Sequence, residues 1–395
     1  MNSVILKRGE GRTLNQGGLW VYDNEIAEVN GSPENGEIVE VHAANGFLLG
    51  KGCYNAASRI RVRLYTRKDE EIDEAFFERR LRTAWEYRRK VIDTSCCRIV
   101  FGDADLLPGL TIDRFQDLLV LQALSIGIDQ RKKMIAETMC RILKEDGIVI
   151  RGVYERSDAR SRELEGLEKV AAPLLGDFEP ETVITENGLK IKVDVANGQK
   201  TGYFLDQKLN RAAIRPFAKD KRVLDCFCNL GGFALNAAAA GAKEVLGVDA
   251  SQLAVDAASA NAARNGLDNV RFETADVFEL LPELLEKGEC YDLVVLDPPA
   301  FTKSRSSLKN ALKGYRRINR DGLSLVRDGG FLATCSCSEF LSEEDFRKVI
   351  TLAAHDAHKR ITQVEFRTQA PDHPIVWGSN TSYYLKFALL YVQDE

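Results

Sequence analysis

The apolar positions of this chain fall into three successive patterns. Over residues 1–68 they alternate with polar ones. Residues 37–41 read EIVEV, Asn45 and Gly46 mark a turn, and residues 47–49 resume the run. Ile60, Val62 and Leu64 then alternate with Arg59, Arg61 and Arg63, which predicts a strand with three arginines on one face. From residue 72 the period lengthens, with Phe76, Phe77, Leu81, Trp85 and Val91 anchoring a charged helix over 72–92. Residues 103–122 predict a hairpin with Pro108 and Gly109 at a bend. Residues 128–143 predict a helix ended near Gly147, and residues 148–154 a strand. Strands around one helix make a small α+β domain.

The third pattern begins with a β-rich approach over 188–195 and is clearest over 222–249. A short apolar run stops at Asp225, Gly231 and Gly232 make a turn, and residues 233–240 form a helix ended by Gly241. A second apolar run closes on Asp249. The unit repeats: Ser251 caps a helix ending at Asn265 and Gly266, a strand over 270–272 precedes Asp276, and residues 280–285 are helical. A strand over 291–296 closes on Asp297, Pro298 and Pro299. Gly329 and Gly330 then open a strand over 331–334 that runs into Cys335, Ser336 and Cys337, and residues 383–392 supply the last strand. Asp225, Asp249, Asp276, Asp297 and the cysteine pair therefore fall on one edge of a parallel sheet, where α/β proteins bind ligands.

A length of 395 residues predicts two or three domains, read as 1–68, 72–185 and 186–395. Hydrophobic content of 45% and charged content of 29% are those of a soluble globular protein. The sequence has no apolar run of membrane-spanning length and no signal-peptide pattern at residues 1–12. Nine scattered cysteines without a CxxC pair, and four histidines, argue for a reducing cytoplasm and against a metal site. A net charge of −5 confines any nucleic-acid footprint to local patches.

Two such patches stand out. The strand with Arg59, Arg61 and Arg63 is either a solvated face or a stripe that tracks phosphates. Residues 300–320 hold Lys303, Arg305, Lys309, Lys313, Arg316, Arg317 and Arg320 with no acid among them, which points to a polyanionic substrate. On the sheet edge, Asp249 suits a ribose diol and Asp276 an amino or hydroxyl group. Two prolines stiffen the chain past Asp297. Cys337 offers a thiolate nucleophile, against the alternative of a small buried polarisable residue. Residues 197–211, with Tyr203, Phe204 and Gln207, either line the same crevice or form a hairpin leading into a capped helix.

The segments DCFCNLGGFALNAA, VDAS, ETADVF, LDPPAF and GGFLATCSCS, in this order, resemble a class I S-adenosylmethionine-dependent methyltransferase. With LKRGEGR and GGLWVYDNEI near the start, DLLPGLTIDRF in the middle and GQKTGYFLDQ before the α/β pattern, the whole chain resembles the RlmI family of bacterial 23S ribosomal RNA cytosine-5 methyltransferases. That resemblance implies a β-rich PUA RNA-binding domain, a central EEHEE α+β domain and a Rossmann-like α/β methyltransferase domain. It implies S-adenosyl-L-methionine held by Asp225, Phe227, Gly231 and Gly232 at the loop, Asp249 at the ribose and Asp276 at the adenine side. Tyr203, Phe204 and Gln207 would close over it.

The implied chemistry is covalent: an extruded cytosine takes the Cys337 thiolate at C6 while Asp297 donates to N3, and Cys335 is the second choice of nucleophile. The larger cytosine-5 family places another cysteine soon after the position of Asp297, where this chain has Ala300. The base that removes the C5 proton is thereby open, and Cys335 is a candidate, since two-residue spacing on a strand puts both thiols on one face. Competing readings are guanine N7 or N2 methylation, which needs no nucleophile, and a non-catalytic RNA-binding ribosome-assembly factor.

Overall fold

The computed structural model describes residues 2–302, 304–377 and 382–395. The chain gathers into two compact units: Met1–Ile184 with Val193–Leu205 and Pro371–Ser382, and Thr185–Lys192 with Asp206–Ala370 and Tyr383–Glu395. The expected third domain ran unbroken from 186. In the structure, residues 193–205 and 371–382 belong to the first unit.

The first unit holds two sheets. Strands β1 (Ser3–Leu6), β2 (Trp20–Tyr22), β3 (Ile26–Asn30), β4 (Ile38–His42), β5 (Leu48–Tyr54) and β6 (Ile60–Thr66) form a six-stranded sheet in the order β2-β6-β5-β4-β1-β3. The alternation read from the sequence buries Val39, Val41, Val62 and Leu64 in its core, which explains why these residues take extended backbone. Strands β7 (Cys96–Phe101), β8 (Leu110–Phe115), β9 (Leu118–Ala123), β10 (Gly152–Ser157) and β11 (Val170–Leu175) form the second sheet in the order β11-β10-β9-β8-β7.

Helices Glu74–Val91 and Lys132–Glu145 bury Phe76, Phe77, Leu81, Trp85, Ile135 and Met139 in the core of this sheet, and Asp73 caps the first by accepting from the Phe76 amide. Two differences from expectation follow from local geometry. The hairpin turns at Gln116, which takes a left-handed backbone, while Pro108 and Gly109 only lead into β8. A further strand, β7, precedes it, its alternation masked by an apolar run (CCRIVF).

Strands β12 (Glu181–Glu186) and β13 (Leu189–Asp194) form a hairpin whose Asn187 and Gly188 both take positive φ, the signature of a tight Asn-Gly turn. The second unit is built on a seven-stranded sheet. It comprises β14 (Arg222–Cys226), β15 (Glu244–Asp249), β16 (Val270–Thr274), β17 (Tyr291–Leu296), β18 (Val326–Ser336), β19 (Lys359–Arg367) and β20 (Lys386–Asp394), in the order β16-β15-β14-β17-β18-β20-β19. Only β20 runs against the rest. Both faces are covered: Leu224, Val294 and Leu296 enter one apolar cluster and Val223, Leu293 and Val295 the other, so these strands read as continuous apolar runs. The chain order reverses between β14 and β17, which opens a crevice at their carboxyl ends.

Candidate functional site

The turn after β14 is held in a shape few sequences tolerate. Phe227 and Asn229 take left-handed backbone, and Gly231 sits at φ 82 with no space for a side chain, since a Cβ there would lie 2.9 Å from Phe272 Cζ. The Asp249 carboxylate at the end of β15 fastens this turn: the Asn229 amide donates to one oxygen at 2.9 Å and the Ser251 amide to the other at 3.0 Å. Asp225 is fully buried. Its Oδ2 accepts from the Ala234 amide at 2.8 Å, and its Oδ1 has no hydrogen-bond partner. Burial, and then the neighbouring Asp297 and Asp249 carboxylates, push its pKa well above the usual range. Asp276 is exposed and caps helix Val277–Glu286 by accepting from the Phe278 amide.

Across the crevice, Asp297 follows β17 directly. Gln207 donates to its Oδ1 at 2.9 Å, and Gln207 is itself fixed by Asn210, which donates to its side-chain oxygen at 2.7 Å. Burial, reinforced by the Asp206 carboxylate, raises Asp297 to about 6 against the opposing pull of Arg211. Arg211 forms a buried ion pair with Glu186 at 2.7 Å. Cys337 lies just past β18, partly exposed, with its thiol 4.0 Å from the Pro298 carbonyl. Its turn is clamped on both sides. Ser336 donates to the Tyr315 hydroxyl at 2.9 Å, and Lys386, buried at the start of β20, donates to the Ser338 carbonyl at 2.7 Å. Burial lowers the Lys386 ammonium to about 8, partly offset by Cys337 within its electrostatic reach.

Residues 168–380 match the family described as S-adenosylmethionine-dependent methyltransferase, and residues 4–67 match the PUA-like domain. A curated protein from Tolumonas auensis, named Ribosomal RNA large subunit methyltransferase I, is 41% identical over 392 residues, 97% of this chain and 98% of that protein. One of the same name from Aeromonas salmonicida is 41% identical over 390 residues, 97% of each. The chain belongs to that family. A solved structure assigned as a SAM-dependent methyltransferase from Streptococcus mutans superposes with a TM-score of 0.82 at 21% identity, covering 99% of this chain and 100% of that one. A second, of a protein complexed with SAH, gives 0.84 at 21% identity over the same shares. Both share the fold.

The cofactor of this family, S-adenosylmethionine, suits the residues present. An orphaned, buried carboxylate oxygen on Asp225 awaits a donor or a cation. Gln207 faces Asp297 in the same unit. Tyr203 is buried and Phe204 packs under the Lys200 ammonium, 4.5 Å away, both in the segment grouped with the first unit.

Other expected site residues are placed less simply. Cys335 is fully buried inside β18. Its thiol donates to Asp297, and burial raises its pKa well above the ordinary thiol value. It is a protonated donor to a carboxyl group, and neither a nucleophile nor a base open to substrate. Cys337, just past the assigned end of β18, is partly exposed where Cys335 is enclosed. The arginine stripe is also spent. Arg59 is exposed, but Arg61 donates to the carbonyls of Asn55 and Ala56, and Arg63 is paired with Glu165 at 2.7 Å.

In the basic segment, acids from elsewhere partner what the local run lacks. Arg316 pairs with Asp356 at 2.6 Å and Arg320 with Asp321 at 2.7 Å, while Arg317 donates to the Phe278 carbonyl. Arg305, Lys309 and Lys313 are exposed with no ion pair among the described residues. Lys303 lies outside the described residues. Among the described residues no cluster of His, Cys, Asp or Glu fit to hold a metal ion is present, and no helix is long and apolar enough to cross a membrane. Lys386 and Asn210 were not anticipated. A lone lysine opening an otherwise apolar strand (KFALLYV) is the signal that marks the first.

Proposed function

We propose that this protein methylates cytosine C5 in large-subunit ribosomal RNA through a covalent adduct with Cys337. The observation that carries this reading is one cleft holding both a partly exposed thiol and a carboxyl group raised to about 6: Cys337 at the Pro298 carbonyl, and Asp297 one residue before that proline. The names of the curated relatives supply the substrate class.

The Cys337 thiolate attacks C6 of an extruded cytosine, whose unstacking costs about a few kcal/mol. Asp297, which keeps a protonated fraction near neutral pH, donates to N3 as electrons move to C5. Bound S-adenosylmethionine supplies an electrophilic methyl group to that carbon. Water takes the C5 proton as the Cys337 thiolate is expelled and the C5–C6 double bond re-forms, and the N3 proton returns to Asp297. Lys386 keeps a positive charge beside the thiolate below about pH 8. The buried Cys335 donates to Asp297 and fixes its orientation. Phe227, Gly231, Gly232, Asp225, Asp249 and Asp276 are assigned to the cofactor, with Gln207 beside it. Arg59, Arg305 and Lys313 are assigned to RNA phosphates.

Unmodified ribosomal RNA incubated with protein and cofactor, then mapped by nucleoside mass spectrometry, is expected to gain 5-methylcytosine. Cys337→Ala is expected to abolish it. A methylguanine product surviving in Cys337→Ala would replace this reading with N7 or N2 transfer. Cys335→Ser is expected to turn over without accumulating an RNA adduct, because a buried thiol does not reach the C5 proton. A trapped adduct in that variant would restore Cys335 as the base.

A further inference from the structure

The first unit contains a cleft of about 870 Å³ that belongs to neither the cofactor turn nor the thiol, within the size range of small-ligand sites. It is walled by Trp20, Tyr22 and Arg63 of the six-stranded sheet, with Arg59 just before β6, and by Phe101 of the five-stranded sheet, with Asp103 in the turn after β7. Its aromatic side is ordered. Trp20 and Tyr22 meet edge to face with centroids 6.3 Å apart, and the Arg63 guanidinium lies over Trp20 at 5.4 Å. Its polar side carries unspent hydrogen-bonding capacity. Trp20 Nε1 donates to Asp103 Oδ1 at 3.3 Å, leaving Oδ2 without a bond among the described residues, and Arg63 Nε is buried with no partner. Burial holds Asp103 above the usual carboxylate range.

The charge pattern narrows the ligand. Glu165 on the cleft wall is consumed by Arg63, Ser58 and Asn55, and Glu163 by Lys169. Three carboxylates among the lining groups are unsuited to a phosphate, whereas Arg59, exposed and adjoining the half-buried aromatics, suits one just outside. Leu164, 71% exposed, supplies an apolar lip. Aromatic and guanidinium planes for stacking, a carboxyl group that accepts from an exocyclic amine and a cation at the margin are the features that hold an unpaired nucleotide.

We propose that this cleft captures one unpaired, amino-bearing nucleobase of the RNA substrate. The proposal rests on the RNA reading above and adds a base-reading site to it.

The test uses the full-length protein and fluorescence anisotropy with labelled RNA octamers: oligo-C, oligo-U and an abasic strand of the same charge. Oligo-C is expected to bind on the order of tenfold tighter than the abasic strand. Trp20→Ala is expected to erase most of that preference. Asp103→Asn, which keeps an oxygen for Trp20 Nε1, is expected to erase the preference for oligo-C over oligo-U, and it decides the matter if Trp20→Ala is misfolded by circular dichroism. Equal binding of all three octamers, binding of none, or wild-type preferences in Asp103→Asn would overturn the proposal. Methyl transfer to ribosomal RNA with no base preference fails the cleft alone. Base preference lost in both variants, without methyl transfer, fails the catalytic reading alone.

Discussion

Asp297 should make the folded protein less stable than it need be, and replacing it shows by how much. A carboxyl group held at about 6 instead of 3.8 binds its proton more tightly when folded than when unfolded. The stability it contributes is therefore complete below about pH 4 and is lost as pH rises through about 6. At 1.36 kcal/mol per pH unit, the loss amounts to about 3 kcal/mol by pH 8. Asp297→Asn removes the charge yet keeps an oxygen to accept from Gln207 and from the Cys335 thiol. The variant should thus gain up to about 3 kcal/mol at pH 8, about half that near pH 5, and only about 0.5 kcal/mol at pH 4. Because the chain has two compact units, the measurement must report on the second alone. Hydrogen exchange of the β17 amides (Tyr291–Leu296) in cofactor-free protein, corrected for intrinsic rates, does so. Under the proposed mechanism, methyl transfer should fall at least a hundredfold in the same variant, since its proton donor is gone. A gain that is absent at pH 8, or one that persists unchanged at pH 4, would refute the desolvation argument.

Gly231→Ala puts a Cβ against the Phe272 ring at a backbone angle that side chains rarely adopt. It should cost about 1–3 kcal/mol of stability and weaken cofactor binding, read from thermal midpoints and a titration with S-adenosylmethionine. Arg211→Ala strands the buried Glu186 carboxylate and should destabilise the second unit by about 3–5 kcal/mol, whereas Arg211→Met with Glu186→Leu should recover most of the loss in urea unfolding. Lys386→Met should slow alkylation of Cys337 by iodoacetamide several-fold at pH 7. Because the Lys386 charge is itself lost as pH rises through about 8, the difference from wild type should shrink at pH 9; a constant ratio would remove Lys386 from the thiolate's environment.

What the sequence reveals here depends on how far the deciding partner lies along the chain. The run from Arg222 to Asp249 was legible because each of its features is local: apolar strands, a glycine that must be glycine, and a carboxylate where the strand stops. Strand β19 was not legible. It lies at the sheet edge with mostly half-exposed residues, so burial imposes little pattern on it. Charge was the hardest quantity to read. Arg63 is matched by Glu165, 102 residues later, and Arg316 by Asp356, 40 residues later, so a stretch free of acids in sequence is not free of them in space.

The same distance effect separates the two cysteines. Two-residue spacing placed both on one face of a strand, with Cys335 the second choice of nucleophile, yet the two differ in burial. One thiol is enclosed beside Asp297 and the other stands past the strand at the Pro298 carbonyl. Burial thus separates the enclosed sulfur from the one left partly open. The enclosed thiol donates a hydrogen bond to the Asp297 carboxyl group, which favours its ionised form and opposes the effect of burial.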